Sequence, residues 1–207
     1  QFVHLQREAR LQDRRITSLV FMGMGEPMHN LDAVIAAIRR IADPDMGAVG
    51  WRQVTVSTVG IVPGIDQLAD ADLNVHLALS LHSADDALRS RIVPMNRKYD
   101  IESIMSAAKR FYDRTGRIVT IEWCLIEDLN DSDEQADKLA ALLRRFDFLR
   151  RARVNVIPFN PIDCSDGRPG RSSLVELGRD DRHYTAFRRP DALRVKHFIE
   201  RLQLQNV

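Results

Sequence analysis

The residues best suited to bind a ligand lie in a short segment of glycines with one carboxylate. The segment FMGMGEPM (residues 21–28) ends an apolar, partly β-branched run at residues 16–21. Gly23 and Gly25 allow a ligand to approach the backbone, and Glu26 gives the loop a negative charge. The third glycine of a dinucleotide fingerprint is missing, so a cationic ligand group is favoured over a phosphate. A plain turn with a solvated glutamate is the alternative.

The elements that must position this loop alternate between strands and helices. Period-two apolar runs, typical of strands, occur at residues 16–22, 53–57, 73–80, 118–126 and 153–159. Helical periodicity occurs at residues 32–41, 61–69, 101–112, 132–146 and 191–204. Strands alternating with helices of this length predict parallel βαβ units and hence an α/β fold.

The side-chain alternation within the strands favours a barrel. In residues 76–82 the leucines share one face, whereas Ser80 and His82 share the other. Glu122 and Trp123 alternate in the same way, and we expect this carboxylate to point inward and to pair with an arginine or a backbone donor, with an acid–base role as the alternative. An open sheet covered by helices would be apolar on both faces. The pattern therefore predicts a partial βα barrel, with an open parallel α/β sheet as the alternative.

Composition indicates a globular protein in a reducing cytoplasm. The chain has 207 residues, 44% of them apolar, and a net charge of +1 that gives no argument for nucleic acid. It contains no apolar run long enough to cross a membrane. Cys124 and Cys164 are too few for an iron–sulfur site, so we expect both to be free thiols. Residues 164–189 are rich in glycine and arginine, which predicts either a solvated loop or an RNA-facing arm.

Six segments in a fixed order carry a family resemblance. They are FMGMGEPM (21–28), VSTVG (56–60), LSLH (79–82), IVPMN (92–96), NDS (130–132) and NVIPFN (155–160). Together they resemble the radical S-adenosylmethionine (SAM) adenine-C2 methyltransferases, which methylate an adenine of 23S ribosomal RNA and, in many bacteria, of transfer RNA. The resemblance implies a partial (βα)6-type radical SAM barrel over residues 1–207, truncated at both ends, that acts on RNA and receives electrons from an external donor.

The resemblance also implies which residues bind the cofactor. SAM carries an ammonium group, a carboxylate, ribose hydroxyls and an adenine, so its site requires an acid, neutral hydrogen-bonding groups and an apolar slot. The implied SAM-binding residues are Gly25, Glu26, Ser57, Ser80, Leu81, His82 and Asn160. Leu81 is expected to act through its backbone. Asn130-Asp131-Ser132 is interpreted as a turn and a helix N-cap without a chemical role.

Two departures from the family pattern limit what the segment is expected to do alone. The CxxxCxxC loop that binds the [4Fe-4S] cluster and the carboxyl-terminal cysteine that carries the methyl group are both missing. The chain begins with Gln1, so we expect it to come from a longer protein with its cluster ligands upstream, and we assign it no catalytic or metal-binding residue. A radical SAM enzyme with another substrate and a non-catalytic RNA-binding remnant are the alternatives.

Overall fold

Five strands form one parallel sheet whose spatial order follows the chain order. The computed structural model describes residues 1–46, 49–161 and 187–207. The order is β1-β2-β3-β4-β5, and β1 pairs with β2 in a register that places Phe21 opposite Val56. This consecutive order confirms the predicted α/β fold and is consistent with part of a barrel wall. The strands are β1 Leu19–Phe21, β2 Val54–Thr58, β3 His76–Ser80, β4 Val119–Leu125 and β5 Ala152–Pro158.

The helices follow the expected alternation, with two additions, Phe2–Leu11 at the start of the chain and Asp86–Ile92. The helix α4, Asp86–Ile92, was not predicted, because seven residues are too few to show a clear period. Asp85 caps it by accepting a hydrogen bond from the Leu88 amide at 2.9 Å. The other helices are α1 Phe2–Leu11, α2 Leu31–Ala42, α3 Val62–Asp70, α5 Ile101–Thr115, α6 Asp133–Arg145 and α7 Ala192–Leu204, and short 3₁₀ helices span Pro27–Asn30, Trp51–Gln53 and Pro94–Arg97.

The predicted two-residue alternation is present in the strands. In β4, Ile121 and Trp123 are fully buried, whereas Thr120 and Cys124 are only half-buried. Glu122 lies on the same polar face but is buried, since only 4% of its surface is accessible. Pro158 is the last residue of β5, which is the outermost strand of the sheet within the described residues, a position that tolerates proline.

The chain forms two compact units. The first contains Gln1–Ser80 and Ser103–Thr120, and the second contains Leu81–Glu102 and Ile121–Val207. In the first unit, Ile65 and Leu68 of α3 are buried together with Ile104 of α5. In the second unit, α6 and α7 pack together, and the Trp123 ring lies 5.9 Å from that of Phe198. The expectation of a single partial barrel domain stays a prediction.

Two expectations fall partly or wholly outside the described residues. Cys164 and most of the predicted 164–189 loop lie outside them.

Within the described ranges, no helix has the length and apolar character that a bilayer crossing requires.

Candidate functional site

The glycine-rich segment forms a loop beside an open cleft in the first unit. The cleft has a volume of about 370 Å³, and Gly25 and Glu26 line it together with apolar side chains such as Val20 and Val34. A Cβ atom added to Gly25 would meet no heavy atom within 4 Å. Packing therefore does not demand glycine at position 25, and the space beside its backbone is open to a ligand.

Glu26 ties this loop to the end of β2. Its Oε1 accepts a hydrogen bond from the Met28 amide at 3.1 Å, and its Oε2 accepts one from the Val59 amide at 2.8 Å. The first bond caps the 3₁₀ helix Pro27–Asn30, and the second joins residues 33 positions apart. Each carboxylate oxygen keeps a further lone pair. Glu26 can therefore hold the loop in place and still accept a hydrogen bond from a cationic ligand.

The end of β2 turns sharply into α3. Thr58 Oγ1 accepts hydrogen bonds from the amides of Gly60 at 3.1 Å and Ile61 at 3.3 Å. Gly60 has φ +106°, and a Cβ there would lie 2.7 Å from Ile104 Cδ1. Only glycine fits this position without displacing the Ile104 side chain or straining the backbone.

A second glycine lets α3 lie against the loop. A Cβ added to Gly64 would lie 2.7 Å from the Cβ of Met28, which is buried directly after Glu26 and Pro27. The close approach packs the segment that carries Glu26 against α3. The loop is thus held by both the end of β2 and the first turn of α3.

The four predicted site residues of the first unit lie near the carboxyl ends of β1, β2 and β3. Ser57 is the penultimate residue of β2, two positions before the amide that binds Glu26, and it is 8% exposed. Ser80 is the last residue of β3 and is half-buried. The structure therefore brings Glu26 to the strand end that carries Ser57, as expected for side chains at the carboxyl ends of neighbouring parallel strands.

In the second unit, Leu81 has its backbone already engaged. Its amide donates to the Glu122 carbonyl at 3.1 Å, and its carbonyl accepts from Arg89 Nε at 2.9 Å. Arg89 is fully buried and also donates to Asn96 Oδ1 at 2.8 Å. The buried Arg89 guanidinium thus donates to a backbone carbonyl and to a side-chain amide of the same unit.

His82 adopts a backbone conformation that is rare for residues other than glycine. Its φ is +59°, and its ring Nδ1 accepts a hydrogen bond from the Cys124 amide at 3.0 Å. Burial, with a further contribution from the positive charge of Arg89, lowers the pKa of His82 from 6.5 to about 4. The ring is therefore neutral at pH 7.

Two polar residues on β4 and β5 interact with each other. Asn155 Nδ2 donates to Glu122 Oε2 at 2.7 Å, so the partner of this buried carboxylate is a side-chain amide. The prediction that Glu122 pairs with an arginine or a backbone donor was wrong. Burial raises the pKa of Glu122, and the hydrogen bond from Asn155 opposes that rise. Asn160 is exposed two residues beyond β5.

Sequence reasoning missed the importance of Asn130. Ser132 is the N-cap of α6, as expected, and accepts a hydrogen bond from the Gln135 amide. Asn130 instead is completely buried, and its amide group contacts the backbone of three other residues. The signal available in the sequence was an asparagine in the short segment between β4 and α6 that is not itself needed as the cap.

The residues present fit SAM by their donor set. The first unit offers a carboxylate with spare lone pairs beside an apolar cleft, which suits an ammonium group next to an aliphatic chain. The second unit offers a neutral imidazole whose Nδ1 is already engaged, so its Nε2 can serve a polar ligand group. Both features agree with the chemistry of the cofactor that the sequence implied.

The residues present do not fit a [4Fe-4S] cluster. Such a cluster needs three or four clustered thiolates, and the chain has two cysteines. Burial raises the pKa of the Cys124 thiol, which disfavours the thiolate form. In the part of the chain that the structure describes, no three His, Cys, Asp or Glu residues form a group able to hold a metal ion.

Comparison with known proteins gives the family. The model of the radical SAM superfamily matches residues 1–140, more than half of the chain. The probable dual-specificity RNA methyltransferase RlmN 1 of Opitutus terrae is 50% identical over 165 residues, which make up 80% of this chain and 45% of that protein. The dual-specificity RNA methyltransferase RlmN 1 of Myxococcus xanthus is 41% identical over 180 residues, or 87% of this chain and 49% of that protein. The chain thus spans slightly less than half the length of these relatives.

Solved structures agree with this result. A crystal structure of a radical SAM methyltransferase from Sphaerobacter thermophilus has a TM-score of 0.83 at 37% identity and covers 99% of this chain and 53% of that one. A domain of a pyruvate-formate lyase-activating enzyme from Bacteroides vulgatus has a TM-score of 0.59 at 16% identity, covers 93% of this chain and 96% of that one, and shows a shared fold alone. The resemblance drawn from the six segments is confirmed, and the chain belongs to the radical SAM superfamily.

Proposed function

We propose that this chain is the cofactor-binding part of an RNA methyltransferase that methylates C2 of adenine in 23S ribosomal RNA, with transfer RNA as a second candidate substrate. The observation that carries the proposal is its 41–50% identity to relatives named as dual-specificity RNA methyltransferases. An external electron donor and a cytoplasmic location belong to the same proposal. Family membership implies SAM and a [4Fe-4S] cluster as cofactors.

In the first unit, the proposed SAM-binding residues are Gly25, Glu26, Ser57 and Ser80. Glu26 accepts a charge-assisted hydrogen bond from the ammonium group, in an orientation already fixed by its bonds to the Met28 and Val59 amides. Gly25 supplies open space beside the backbone. A carboxylate that is oriented before the ligand arrives loses little conformational entropy on binding.

In the second unit, the proposed SAM-binding residues are Leu81, His82 and Asn160. The Leu81 carbonyl retains one lone pair after binding Arg89, so it can accept one more hydrogen bond. His82 has its ring orientation fixed by the Cys124 amide. Asn160 is exposed and can both donate and accept.

When bound, SAM supplies the transferred methyl group and, after reductive cleavage, a radical. The residues of this chain bind and orient it. Because the two cysteines do not fit the cluster, its ligands are proposed to lie in a segment outside this sequence.

Two measurements test the proposal. Calorimetric titration of the chain with SAM should show saturable binding that weakens about ten- to a hundredfold in Glu26→Ala, whereas Glu8→Ala, at an exposed position of α1, should bind as wild type does. The complete open reading frame that encodes the chain, expressed in a host lacking 23S adenine-C2 methylation, should restore 2-methyladenosine in RNA digests analysed by mass spectrometry.

The outcomes separate the alternatives. SAM binding without 2-methyladenosine in ribosomal or transfer RNA would indicate a radical SAM enzyme with another substrate. The absence of both SAM binding and methylation would indicate a non-catalytic remnant.

A further inference from the structure

Asn130 lies in the loop after β4 and is completely buried. Its Nδ2 donates one hydrogen bond to the His82 carbonyl at 2.8 Å and another to the Cys124 carbonyl at 2.7 Å. Its Oδ1 accepts a hydrogen bond from the Ile126 amide at 2.7 Å. Both amide hydrogens of Asn130 are therefore used to hold two neighbouring backbone segments together.

His82 needs such support because its backbone is in the left-handed region. A residue with a side chain stays in that region only where the surrounding structure fixes it. The His82 amide donates to the Glu122 carbonyl at 3.3 Å, and the His82 carbonyl is bound by Asn130. Both backbone polar groups of His82 are thus held by the β4 segment and the loop that follows it.

The ring of His82 has only one protonation state compatible with its contacts. A backbone N–H can donate only to a ring nitrogen that carries no proton, so Nδ1, which accepts from the Cys124 amide, is the unprotonated nitrogen. A neutral imidazole with a bare Nδ1 carries its hydrogen on Nε2. The ring therefore offers a hydrogen-bond donor at Nε2 and has no acceptor left for a ligand.

We infer that Asn130 is a positioning residue that fixes His82 as a neutral Nε2–H donor toward an acceptor oxygen of the cofactor, either the carboxylate or a ribose hydroxyl of SAM. The inference rests on the proposed SAM-binding role of His82. Asn130 contacts both residues that form the ring's hydrogen bond: it binds the carbonyl of His82 and the carbonyl of Cys124. Asn130 thus holds the backbone of both the residue that carries the ring and the residue whose amide donates to it.

The tautomer of His82 decides which kind of SAM group the ring can bind. A ring that only donates cannot accept a hydrogen bond from the SAM ammonium group, which requires an acceptor such as a carboxylate. His82 consequently serves acceptor groups. Arg89, the charged group that acts on the ring, further disfavours a second proton on it.

The first test reads the ring directly in the wild-type chain. Long-range ¹H–¹⁵N correlation spectra of the ¹⁵N-labelled protein report the tautomer and the titration of each histidine, and His82→Asn identifies the His82 signals. Asparagine is the substitute because it tolerates a left-handed backbone. We expect the Nε2–H tautomer and no titration midpoint above about pH 5. A proton on Nδ1, or a midpoint near 6.5, would overturn the inference.

The second test removes the donor hydrogens of Asn130. Asn130→Asp keeps the size and the acceptor for the Ile126 amide but directs oxygen at the carbonyls of His82 and Cys124. We expect a mixture of tautomers, a His82 midpoint raised by about one unit or more toward 6.5, and SAM binding weakened about tenfold. Ser132→Ala is the matched control, since it removes the cap of the adjacent helix α6 without touching His82 and should leave the ring unchanged.

The results distinguish positioning from a purely structural role. A folded Asn130→Asp variant whose His82 ring behaves as in the wild type would refute the inference. If that variant does not fold, Asn130→Ser, which can still donate to one carbonyl, is judged by the same ring signals, and failure of both to fold would assign Asn130 to folding alone. A ring that behaves as expected in a chain that does not bind SAM would reject the proposed function while leaving the contact between Asn130 and His82 intact.

Discussion

Replacing Glu26 by glutamine should destabilise the chain even without a ligand. The carboxylate accepts one backbone hydrogen bond on each oxygen, at 3.1 Å from Met28 and 2.8 Å from Val59. Glutamine keeps one acceptor oxygen and turns the other into a donor, so one of the two amides loses its partner. A hydrogen bond to a charged group contributes about 1.5–3 kcal/mol. We therefore expect the free energy of unfolding of Glu26→Gln to fall by about 1.5–3 kcal/mol.

Urea denaturation followed by circular dichroism measures this change, and calorimetry of the folded variant with SAM measures binding separately. Glu8→Gln makes the same chemical change on the exposed side of α1 and should alter stability by less than about 0.5 kcal/mol. A Glu26→Gln variant as stable as this control would refute the loop-anchoring role. Lower stability with unchanged SAM affinity would leave Glu26 as an anchor and remove it from the ligand site.

Three further predictions concern packing, pH and the cluster. Gly60→Ala should lower the free energy of unfolding, measured by urea denaturation, by about 2–4 kcal/mol because the new Cβ meets Ile104. Gly116→Ala, where φ is also positive but the space is open, should lower it by only about 1 kcal/mol. Because burial raises the pKa of Glu122, the folded chain holds a proton that the unfolded chain releases. The free energy of unfolding should therefore fall as pH rises from about 4.5 through the raised pKa. Glu122→Gln should flatten that slope in unfolding measurements at several pH values. After anaerobic reconstitution with iron and sulfide, the chain alone should show no stoichiometric cluster in its visible absorbance, and a full cluster would contradict the reasoning from its two cysteines.

Much of the fold could be predicted because strand alternation and helix periodicity are local properties of the sequence. The predicted strand at residues 118–126 differs from the observed Val119–Leu125 by one residue at each end. The first strand was predicted too long, at residues 16–22 against Leu19–Phe21, because the apolar run continues beyond the hydrogen-bonded pairs with β2. Helix α4 was missed because its cap, and not its short periodic pattern, marks it.

The contacts within the site could not be predicted to the same extent. The pairing of Glu122 with Asn155 joins two strands that are 33 residues apart, and no local pattern specifies it. The bonds of Asn130 depend on where His82 turns, since its amide reaches across 48 residues. Sequence patterns thus indicated the strand ends where polar side chains gather, but the hydrogen-bond partners depend on tertiary packing.

The contact between Gly64 and Met28 has a consequence for how this protein can vary in evolution. A side chain at position 64 would occupy the space that the Met28 side chain fills, so the sizes of the two residues are coupled. The nearest atom is the Met28 Cβ, which every residue except glycine carries, so a side chain at 64 requires either glycine at 28 or a shift of the loop that carries Glu26. In a set of homologous sequences, position 64 should therefore stay glycine wherever position 28 carries a side chain, even though the two positions belong to different segments and neither is proposed to touch the cofactor.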